Sequence, residues 1–535
     1  MNEDFLDFFV DRFRRLDCPP RALAEYCQPR PYRNAVVRFR PCAMGDFDER
    51  RALLHQAGLN VFGFPAHKIP GCDLLSDSGT TTMTMEQWSE LLLGDEAYGS
   101  NQGYYELKEQ VVRTFGPSWQ EPSGTHETVF LFHQGRAAEH ALATVLAQNL
   151  LPNINPKEAL SLVEQLKHEL RDQVLKKVSR PDAGFLIIPS NSHFDTTEGN
   201  FEAANIVPLN LPCLEHRNRD RGFGFRGNME LDALSEVLSK CRPLVPLVYL
   251  TITNNTGGGQ PVSMENITQV AALARKHSIP FFFDACRFAE NAWFIKHREP
   301  GYATRPVQDI VHEMFKHVDG FHISFKKDGL ANIGGALVVK PGAEFATRYP
   351  TLIGKLTDHQ IMVEGHPTYG GLAGRDLKAI AQGLRTVVDE RYLSYRIEQV
   401  QRFGARLAAH GVPIVEPVGG SAVYIEMDEF FGTNPGFRGI AFTALLLLAG
   451  HRLCELGAYA FGKFRAGREI GPDPRVNNVR AAVPRLAYED QDLFSTAEAV
   501  KVLLDHRDRI PDVRVTYGRE LNLRHFKSRF EFCPL

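Results

Sequence analysis

The sequence predicts an α/β protein that has a mostly parallel sheet in a large domain and a smaller α+β domain. Two observations lead to this fold class. Six short apolar, β-branched or aromatic runs follow one another between residues 184 and 340 and alternate with helical patterns. After about residue 375 the pattern changes to long helices, which indicates a second domain.

The six strand candidates are short enough to be buried strands of a parallel sheet. They are residues 184–190, 205–211, 245–253, 279–285, 320–325 and 335–340. Between the third and the fourth candidate, residues 263–278 predict a helix with Ile267, Val270, Ala271 and Ala274 on one face. Ligands bind at the carboxyl ends of strands in such sheets, so the polar residues at those ends are the candidate site.

The chain is expected to have four parts. They are an N-terminal extension (1–28), the first part of the small domain (29–75), the large domain (76–375) and the C-terminal small domain (376–535). Within the large domain, residues 152–181 carry apolar side chains at helical spacing among many charges. We expect an inserted helix or helical hairpin there, with a structural role.

The composition is typical of a globular protein that does not bind nucleic acid or a membrane. The 535 residues include 61 basic and 64 acidic side chains, without a basic block. No apolar run reaches the roughly 18 residues that a membrane span needs. Nine cysteines without a CxxC pair argue against a zinc site or a disulfide framework. The start has too short an apolar stretch for a signal peptide, so we expect a cytoplasmic protein.

The segment 321–335, FHISFKKDGLANIGG, contains the most informative candidates. Lys326 and Lys327 follow a strand candidate and precede a Gly-Gly pair. A KKD run alone is typical of a solvated turn, but a lysine at a strand end is well placed for a Schiff base with a carbonyl cofactor. Asp284 and Arg287 follow another strand candidate. They are either a surface ion pair or strand cap, or the partners of a protonated ring nitrogen and a phenolate oxygen.

Three further segments carry candidate ligands for such a cofactor. The tetrapeptide HQGR at 133–136 precedes a helical pattern, so it either caps the helix or binds a phosphate. Ser324 could add a hydroxyl donor. Asn255 stands before three glycines, in a flexible turn or as an amide donor to a ring oxygen. Phe194 either fills the core or stacks on a planar ring.

Taken in order, these segments resemble the β-eliminating lyases that depend on pyridoxal 5′-phosphate (PLP), which are the tryptophanases and tyrosine phenol-lyases. The matching segments are DLLSDSGT (73–80), GDEAY (94–98), HQGR (133–136), FDTT (194–197), GGQPVS (258–263), DACRFAENAWFIK (284–296), SFKKDGLANIGG (324–335), VRAAVPR (479–485) and LRHF (523–526). The resemblance implies PLP fold type I, as in aspartate aminotransferase, with a mostly parallel seven-stranded sheet. It also implies a homodimer or homotetramer.

The resemblance assigns a role to each cofactor candidate. Lys327 would form the Schiff base and then remove the substrate Cα proton, with Asp284 on the pyridine nitrogen. Asn255 and Arg287 would serve the ring oxygen O3′, and Asn255 would also lie near the substrate. The residues expected to stack on the ring or to surround the phosphate are Phe194, Gln134, Gly135, Arg136, Ser324 and Lys326.

The resemblance also implies a substrate site and a potassium site. Arg480 would bind the substrate carboxylate, and Tyr98 would protonate the leaving group or lie near the phosphate. The other residues expected at the substrate are Ser76, Ser78, Phe62, Asp195 and His525. A K⁺ ion would be bound by the Glu96 carboxylate and by the backbone carbonyls of Gly79 and Asn332.

The implied activity is α,β-elimination from an aromatic L-amino acid, which releases a group such as indole together with pyruvate and ammonia. Asp195 and His525 match tryptophanases rather than phenol-lyases, whereas Phe325 stands where a small residue is expected. Elimination of a different β-substituent, β-replacement and transamination remain alternatives. So does a non-catalytic protein of the same fold.

Overall fold

The computed structural model describes residues 4–17, 32–35, 38–41, 46–122, 128–254, 257–432, 436–465, 467–471 and 476–534. The chain divides into two compact units. Unit 1 comprises Met1–Thr82 and Tyr395–Leu535, and unit 2 comprises Met83–Ser394. Within the described residues no helix combines the length and the apolar character needed to cross a lipid bilayer.

The described α-helices are α1 (Asp4–Asp17), α2 (Phe47–Gln56), α3 (Met85–Leu92), α4 (Gln102–Phe115), α5 (Gly135–Leu150), α6 (Pro156–Val163), α7 (His168–Lys177), α8 (Asp195–Ala203), α9 (Leu214–Arg217), α10 (Leu231–Lys240), α11 (Met264–Lys276), α12 (Phe288–Arg298), α13 (Val307–Lys316), α14 (Glu344–Arg348), α15 (Pro350–Val363), α16 (Gly374–Val387), α17 (Glu390–Ala409), α18 (Met427–Phe431), α19 (Arg438–Leu448) and α20 (Asp490–Asp505). Single turns of 3₁₀-helix lie at Ala66–Lys68, Pro117–Trp119, Leu151–Asn153, Pro181–Ala183, Arg242–Leu244, Arg507–Arg509 and Arg524–Phe526.

The described strands are β1 (Tyr32–Ala35), β2 (Arg38–Pro41), β3 (Val129–Phe132), β4 (Leu186–Ser190), β5 (Ile206–Asn210), β6 (Val248–Thr251), β7 (Phe281–Asp284), β8 (Gly320–Ser324), β9 (Gly335–Val339), β10 (Ala422–Glu426), β11 (Cys454–Leu456), β12 (Lys463–Arg465), β13 (Arg468–Ile470), β14 (Asn478–Ala482), β15 (Val513–Tyr517) and β16 (Arg529–Phe532). Each of the six strand candidates contains one of them, from β4 to β9.

Unit 2 is built on a five-stranded sheet with the order β3-β9-β8-β7-β6. Strands β6, β7 and β8 are parallel, and β9 is antiparallel to both of its neighbours. Every residue of these strands is buried, as expected for apolar runs covered on both faces. The register places Asp284 at the end of β7 beside His322 on β8. The carboxyl ends of these strands carry the site.

Unit 2 has seven strands, the number expected for the sheet, but hydrogen bonding joins them as five plus two rather than as one sheet. Strands β4 and β5 form a separate parallel pair. Between β4 and β6 the side chain of Asn191 takes the place of the backbone ladder. Its Oδ1 accepts from the Thr251 N–H at 2.9 Å, and its Nδ2 donates to the Thr251 carbonyl at 3.0 Å. The sheet is therefore mixed and interrupted.

Two helical segments belong to unit 2. The charged segment expected to be an insertion forms α6 and α7, and its Val163, Leu170 and Val174 enter the core of the unit. Helix α16 begins where the sequence pattern changes near residue 375, and it packs against α3 and α4. Both segments are thus held by apolar side chains at helical spacing.

Unit 1 contains an antiparallel sheet with the order β10-β14-β11. Helix α19 has the sequence RGIAFTALLLL, lies against β11 and β14, and is buried almost all round. The N-terminal helix α1 packs on α19 and α20 through Phe9, Val10 and Phe13. A continuous apolar core therefore holds the two ends of the chain in one unit.

Candidate active site

Lys327 lies in a turn that follows β8. Its Nζ is 5.3 Å from the centroid of the ring of Phe194, the residue directly before α8. Its backbone N–H donates to the carbonyl of Ser324 at 3.2 Å. The next residue, Asp328, is fully buried and accepts from the N–H of Ala289 at 2.9 Å, at the start of α12. The turn is thus fixed at both ends, and Lys327 is aimed at the aromatic ring.

Asp284 is the last residue of β7 and is buried. Burial by itself raises the pKa of its carboxyl group, but the charges of His322 and Lys327 and hydrogen bonding from Cys286 outweigh it. The pKa of Asp284 is therefore below its ordinary value. A buried carboxylate that stays ionised beside a lysine can hold a proton on a heterocyclic nitrogen.

The predicted phosphate cradle is formed where α5 meets the end of β8. A Cβ atom at Gly135 would lie 2.7 Å from Ser324 Cβ, and one at Gly335 would lie 2.4 Å from the Gly135 nitrogen. Glycine is required at both positions because the two backbones approach so closely. The first N–H groups of a 16-residue helix therefore lie beside Ser324.

Three cations come together at this cradle. Burial lowers the pKa of the Lys326 ammonium group, and the charges of Arg136 and Lys327 lower it further. These cations repel one another, and an anion bound between them would relieve the repulsion. Gln134 precedes the helix and its Nε2 lies 3.0 Å from Nε2 of His133. The structure thus brings the N-terminus of α5, Ser324 and the three cations together.

These groups fit PLP. The helix N-terminus and its cations suit a phosphate, Phe194 offers a ring to stack on, and Lys327 offers an amine beside that ring. The ionised Asp284 suits the pyridine nitrogen. Arg287 is buried at the start of α12, three residues beyond Asp284. Asn255 lies outside the described residues.

Tyr98 has 79% of its surface exposed. Its ring is 6.2 Å from that of His366 and 5.6 Å from that of Tyr369. The Thr368 hydroxyl accepts from the N–H of Ser100 at 2.6 Å, so this segment fixes the turn that carries Tyr98. Tyr98 is thus a surface residue whose backbone turn is fixed by Thr368.

The predicted carboxylate-binding residues come together within unit 1. Arg480 lies on β14, is buried, and donates to the carbonyl of Leu75 at 2.9 Å, next to Ser76. The N–H of Ser78 donates to the Ser76 hydroxyl at 3.1 Å. A buried ion pair of 2.9 Å between Asp77 and Arg485 secures the same segment. The guanidinium of Arg480 and the hydroxyls of Ser76 and Ser78 therefore lie on two neighbouring segments of unit 1.

An aromatic cluster in unit 1 contains two further predicted residues. The Phe62 ring is 5.8 Å from that of His525 and 4.6 Å from that of Phe526. Asn60 holds the segment by donating to the carbonyls of His525 and Ser528 at 3.0 and 2.7 Å. Asp195, which belongs to unit 2, is buried at the start of α8 and accepts from the N–H of Thr196 at 2.6 Å. Phe62 and His525 suit an aromatic side chain.

The three residues expected to bind K⁺ differ in their surroundings. The Glu96 carboxylate forms an ion pair of 2.6 Å with Arg375. Asn332 is exposed in unit 2, and Gly79 belongs to unit 1, where its φ of 73° is in the left-handed region. The carboxylate expected to bind K⁺ is thus engaged by an arginine.

Sequence reasoning missed three buried polar residues behind the site. Asp328 fixes the lysine turn, whereas His322 and Glu139 form an ion pair of 3.1 Å behind Asp284. The KKD run was a signal for Asp328. His322 follows a phenylalanine in a strand candidate, where its neighbours predict only burial. Phe325, which departs from the small residue expected there, is fully buried in the core of unit 2.

Comparisons with known proteins identify the family of the chain. Residues 73–499 match the family described as beta-eliminating lyase. The chain is 39% identical to the tryptophanase of Hyphomonas neptunium over 504 residues, which are 94% of this chain and 98% of the relative. It is 34% identical to the tyrosine phenol-lyase of Intrasporangium calvum over 505 residues, which are 94% of each.

A likeness to solved structures supports the fold alone. The aspartate aminotransferase of Thermotoga maritima aligns with a TM-score of 0.52 at 13% identity, covering 86% of this chain and 95% of that chain. The predicted aspartate aminotransferase-like fold is therefore confirmed. Because the family match extends over most of the sequence and the relatives align over nearly their full length, the chain belongs to the β-eliminating lyase family.

Proposed function

We propose that this PLP-dependent lyase eliminates the β-substituent of an aromatic L-amino acid, with tryptophan or a close analogue as substrate, and releases pyruvate and ammonia. The main support is the position of Lys327. Its Nζ lies 5.3 Å above the Phe194 ring, and its charge acts on the buried carboxylate of Asp284. A base, a stacking ring and an ionised carboxylate are thus grouped as α-proton abstraction requires.

Within this proposal each residue of unit 2 has a defined task. PLP, when bound, supplies an electron-withdrawing ring that stabilises negative charge at the substrate Cα. Asp284 holds a proton at the ring nitrogen because its carboxylate remains ionised. Lys327 Nζ accepts the Cα proton, and Phe194 orients the ring by stacking. Arg287, together with Asn255, serves the ring oxygen.

Substrate binding is assigned to unit 1 residues. Arg480 binds the α-carboxylate through its guanidinium, whose fork suits two carboxylate oxygens. Ser76 and Ser78 add hydroxyl donors from the adjacent segment. Phe62 and His525 contact the aromatic side chain. The higher identity to a tryptophanase than to a tyrosine phenol-lyase favours an indole-like group over a phenol.

Expulsion of an aromatic carbon group needs a proton on the ring, and Tyr98 is the proposed acid. Its exposure in the single chain suggests that it acts in a homodimer or homotetramer, where a second copy would cover it. We also propose a cytoplasmic location, which the free thiols of the described cysteines support.

Potassium is proposed as a second cofactor at Glu96, Gly79 and Asn332. For this to hold, the Glu96 carboxylate must exchange its ion pair with Arg375 for the cation. Replacing K⁺ by Na⁺ in the assay buffer at constant ionic strength is expected to lower kcat in the wild type. Equal activity in both salts, over a range of concentrations, would exclude the requirement.

The deciding experiment gives the purified enzyme a panel of β-substituted L-amino acids in the presence of PLP and K⁺. Pyruvate and the released β-substituent are measured together, and L-tryptophan is expected to give pyruvate and indole in equal amounts. Lys327→Ala is the matched control. A 2-oxo acid that keeps its side chain would indicate transamination, and absence of pyruvate from every substrate would refute elimination.

A further inference from the structure

His322 is fully buried at the centre of a group of ionisable side chains from three other elements and a connecting segment. Asp284 and Cys286 face it from β7 and the residues that follow, Glu139 from α5, and Tyr249 from β6. Beyond these, the His193 ring stacks on that of Tyr249 at 6.2 Å, and Lys327 acts on Asp284 from the far side.

The two nitrogens of the His322 ring have different partners. Nε2 lies 3.1 Å from Glu139 Oε1 and 3.5 Å from Asp284 Oδ1. Nδ1 is hydrogen-bonded to the Tyr249 hydroxyl. A doubly protonated imidazole satisfies this arrangement, because Nε2–H then donates towards the carboxylates and Nδ1–H donates to the tyrosine oxygen.

Glu139 is itself held on its other oxygen. Oε2 accepts from the Thr196 hydroxyl at 2.9 Å and from the Asn200 amide at 3.5 Å. Thr196 and Asn200 belong to α8, the helix that begins next to Phe194, and Glu139 lies one turn after Gly135. The carboxylate therefore links the ring-stacking segment and the phosphate-binding helix to His322.

The charges in this group are mutually supporting. Burial alone lowers the pKa of His322, but the Asp284 carboxylate, the neighbouring Cys286 side chain and the hydrogen bond to Glu139 raise that pKa well above its ordinary value. The His322 charge in turn keeps the pKa of Asp284 low. Removing one member of such a buried group leaves an uncompensated charge on the others.

We propose that His322 is a positioning residue, which holds Asp284 ionised and correctly oriented through a buried chain of Glu139, His322 and Asp284. This role rests on the proposed function, since Asp284 is assigned there to the cofactor. In this role His322 acts through Asp284 and not on the cofactor directly. It strengthens the interaction between Asp284 and a protonated pyridine nitrogen.

The test measures PLP binding to apoenzyme by titration at several pH values, for wild type, His322→Gln and Glu139→Gln. We expect the Kd for PLP to rise at least about tenfold in His322→Gln, and more steeply as the pH falls from 8 to 6, because Asp284 loses its neighbouring cation. Glu139→Gln is expected to shift Kd in the same direction with a smaller pH dependence.

His193→Gln is the matched control. It removes a buried histidine that packs on the same Tyr249 ring, and it should leave the Kd for PLP within about twofold of wild type. Circular dichroism and thermal unfolding establish that each variant is folded. If His322→Gln does not fold, Glu139→Gln and NMR of ¹⁵N-histidine-labelled wild-type apoenzyme replace it, with one doubly protonated histidine expected at pH 8.

Three results would overturn this role. They are a PLP affinity in the folded His322→Gln or Glu139→Gln variant that equals that of wild type at every pH, no doubly protonated histidine at pH 8, or stoichiometric Zn²⁺ bound by Asp284, Cys286 and His322 in the purified protein. Failure of wild type itself to bind PLP would instead refute the proposed function.

Discussion

Gly135 and Ser324 approach so closely that no side chain fits between them, because a Cβ atom at position 135 would lie 2.7 Å from Ser324 Cβ. This contact places the N-terminus of α5 against the end of β8, three residues before Lys327. The N-terminus of α5 and the lysine turn are thus fixed to each other by close contact.

Gly135→Ala is expected to disturb this contact. Overpacking against buried Ser324 should lower the free energy of unfolding by about 1–3 kcal/mol and should raise the Kd for PLP at least about tenfold. Chemical denaturation and PLP titration measure the two effects. Gly354→Ala is the matched control, since a Cβ there meets open space within α15 and should leave PLP binding unchanged. Equal PLP binding by both variants would contradict the cradle.

Lys327→Ala is expected to lower kcat at least about 10³-fold, because the base for the Cα proton is lost. The visible absorption of the PLP-loaded enzyme should also change. Stopped-flow kinetics and an absorption spectrum measure both quantities. The neighbouring Lys326→Ala serves as the comparison, with weaker PLP binding expected but proton abstraction retained. A Lys327→Ala enzyme that keeps wild-type turnover would assign the base to another residue.

Arg480→Lys is expected to raise KM about 10- to 100-fold, because an ammonium cannot reproduce two parallel hydrogen bonds to a carboxylate. The spectrum of the bound cofactor should stay the same. Steady-state kinetics with the substrate identified by the panel measures the change. Arg529→Lys, which alters an exposed arginine hydrogen-bonded to the Gln56 carbonyl at 2.9 Å, is the control. An unchanged KM in Arg480→Lys would speak against its assignment.

Asp77→Asn is expected to lower the free energy of unfolding of unit 1 by about 3–5 kcal/mol, since it leaves the Arg485 charge buried without its carboxylate. Asp505→Asn breaks an exposed ion pair with Lys501 and should cost less than about 1 kcal/mol. Thermal and urea unfolding compare the two variants. Similar losses in both would show that the buried pair does not determine the stability of the segment with Ser76 and Ser78.

His193 is expected to make the protein less stable in acid. Burial lowers its pKa to about 4, whereas in the unfolded chain the pKa is about 6.5. Between these values only the unfolded state binds the proton, so stability decreases as the pH falls from 6.5 towards 4, by roughly 3 kcal/mol for this group.

His193→Gln removes that titration, so its free energy of unfolding should depend less on pH in this range. His216, with a pKa also lowered to about 4 by burial, keeps part of the dependence in both proteins. Urea denaturation at pH 4.5, 5.5 and 7.5 gives the comparison. Parallel pH dependences for wild type and variant would show that His193 does not titrate as expected.

The elements of the fold were largely predictable because buried strands and amphipathic helices leave local patterns. Strands β4 to β9 fall within the six apolar runs, and α11 falls within residues 263–278. Strand β3 was not predicted. Its four residues, Val129–Phe132, precede HQGR, and among the described residues its strand partner is β9, about 200 residues away in the sequence.

Site residues that belong to a recognisable sequence motif could be predicted from the sequence. Residues that come to the site only through the folding of the chain could not. Lys327, Gly135 and Arg480 were found through motifs. The register of β7 and β8 brings His322 beside Asp284, and no spacing along the chain contains that information. Phe325 marked a departure from the family, but its side chain turns into the apolar core.

Because the Asn191 side-chain amide joins β4 to β6, the sheet can be damaged by deamidation, a reaction that does not affect a backbone ladder. Its amide nitrogen donates to the carbonyls of Gly227 and Thr251, at 2.6 and 3.0 Å. Hydrolysis of that single amide to a carboxylate would turn both donors into an acceptor facing two carbonyl oxygens. Complete burial shields the amide from water, so deamidation here is expected only after local opening. The rate of deamidation would therefore measure how often β4 and β6 separate.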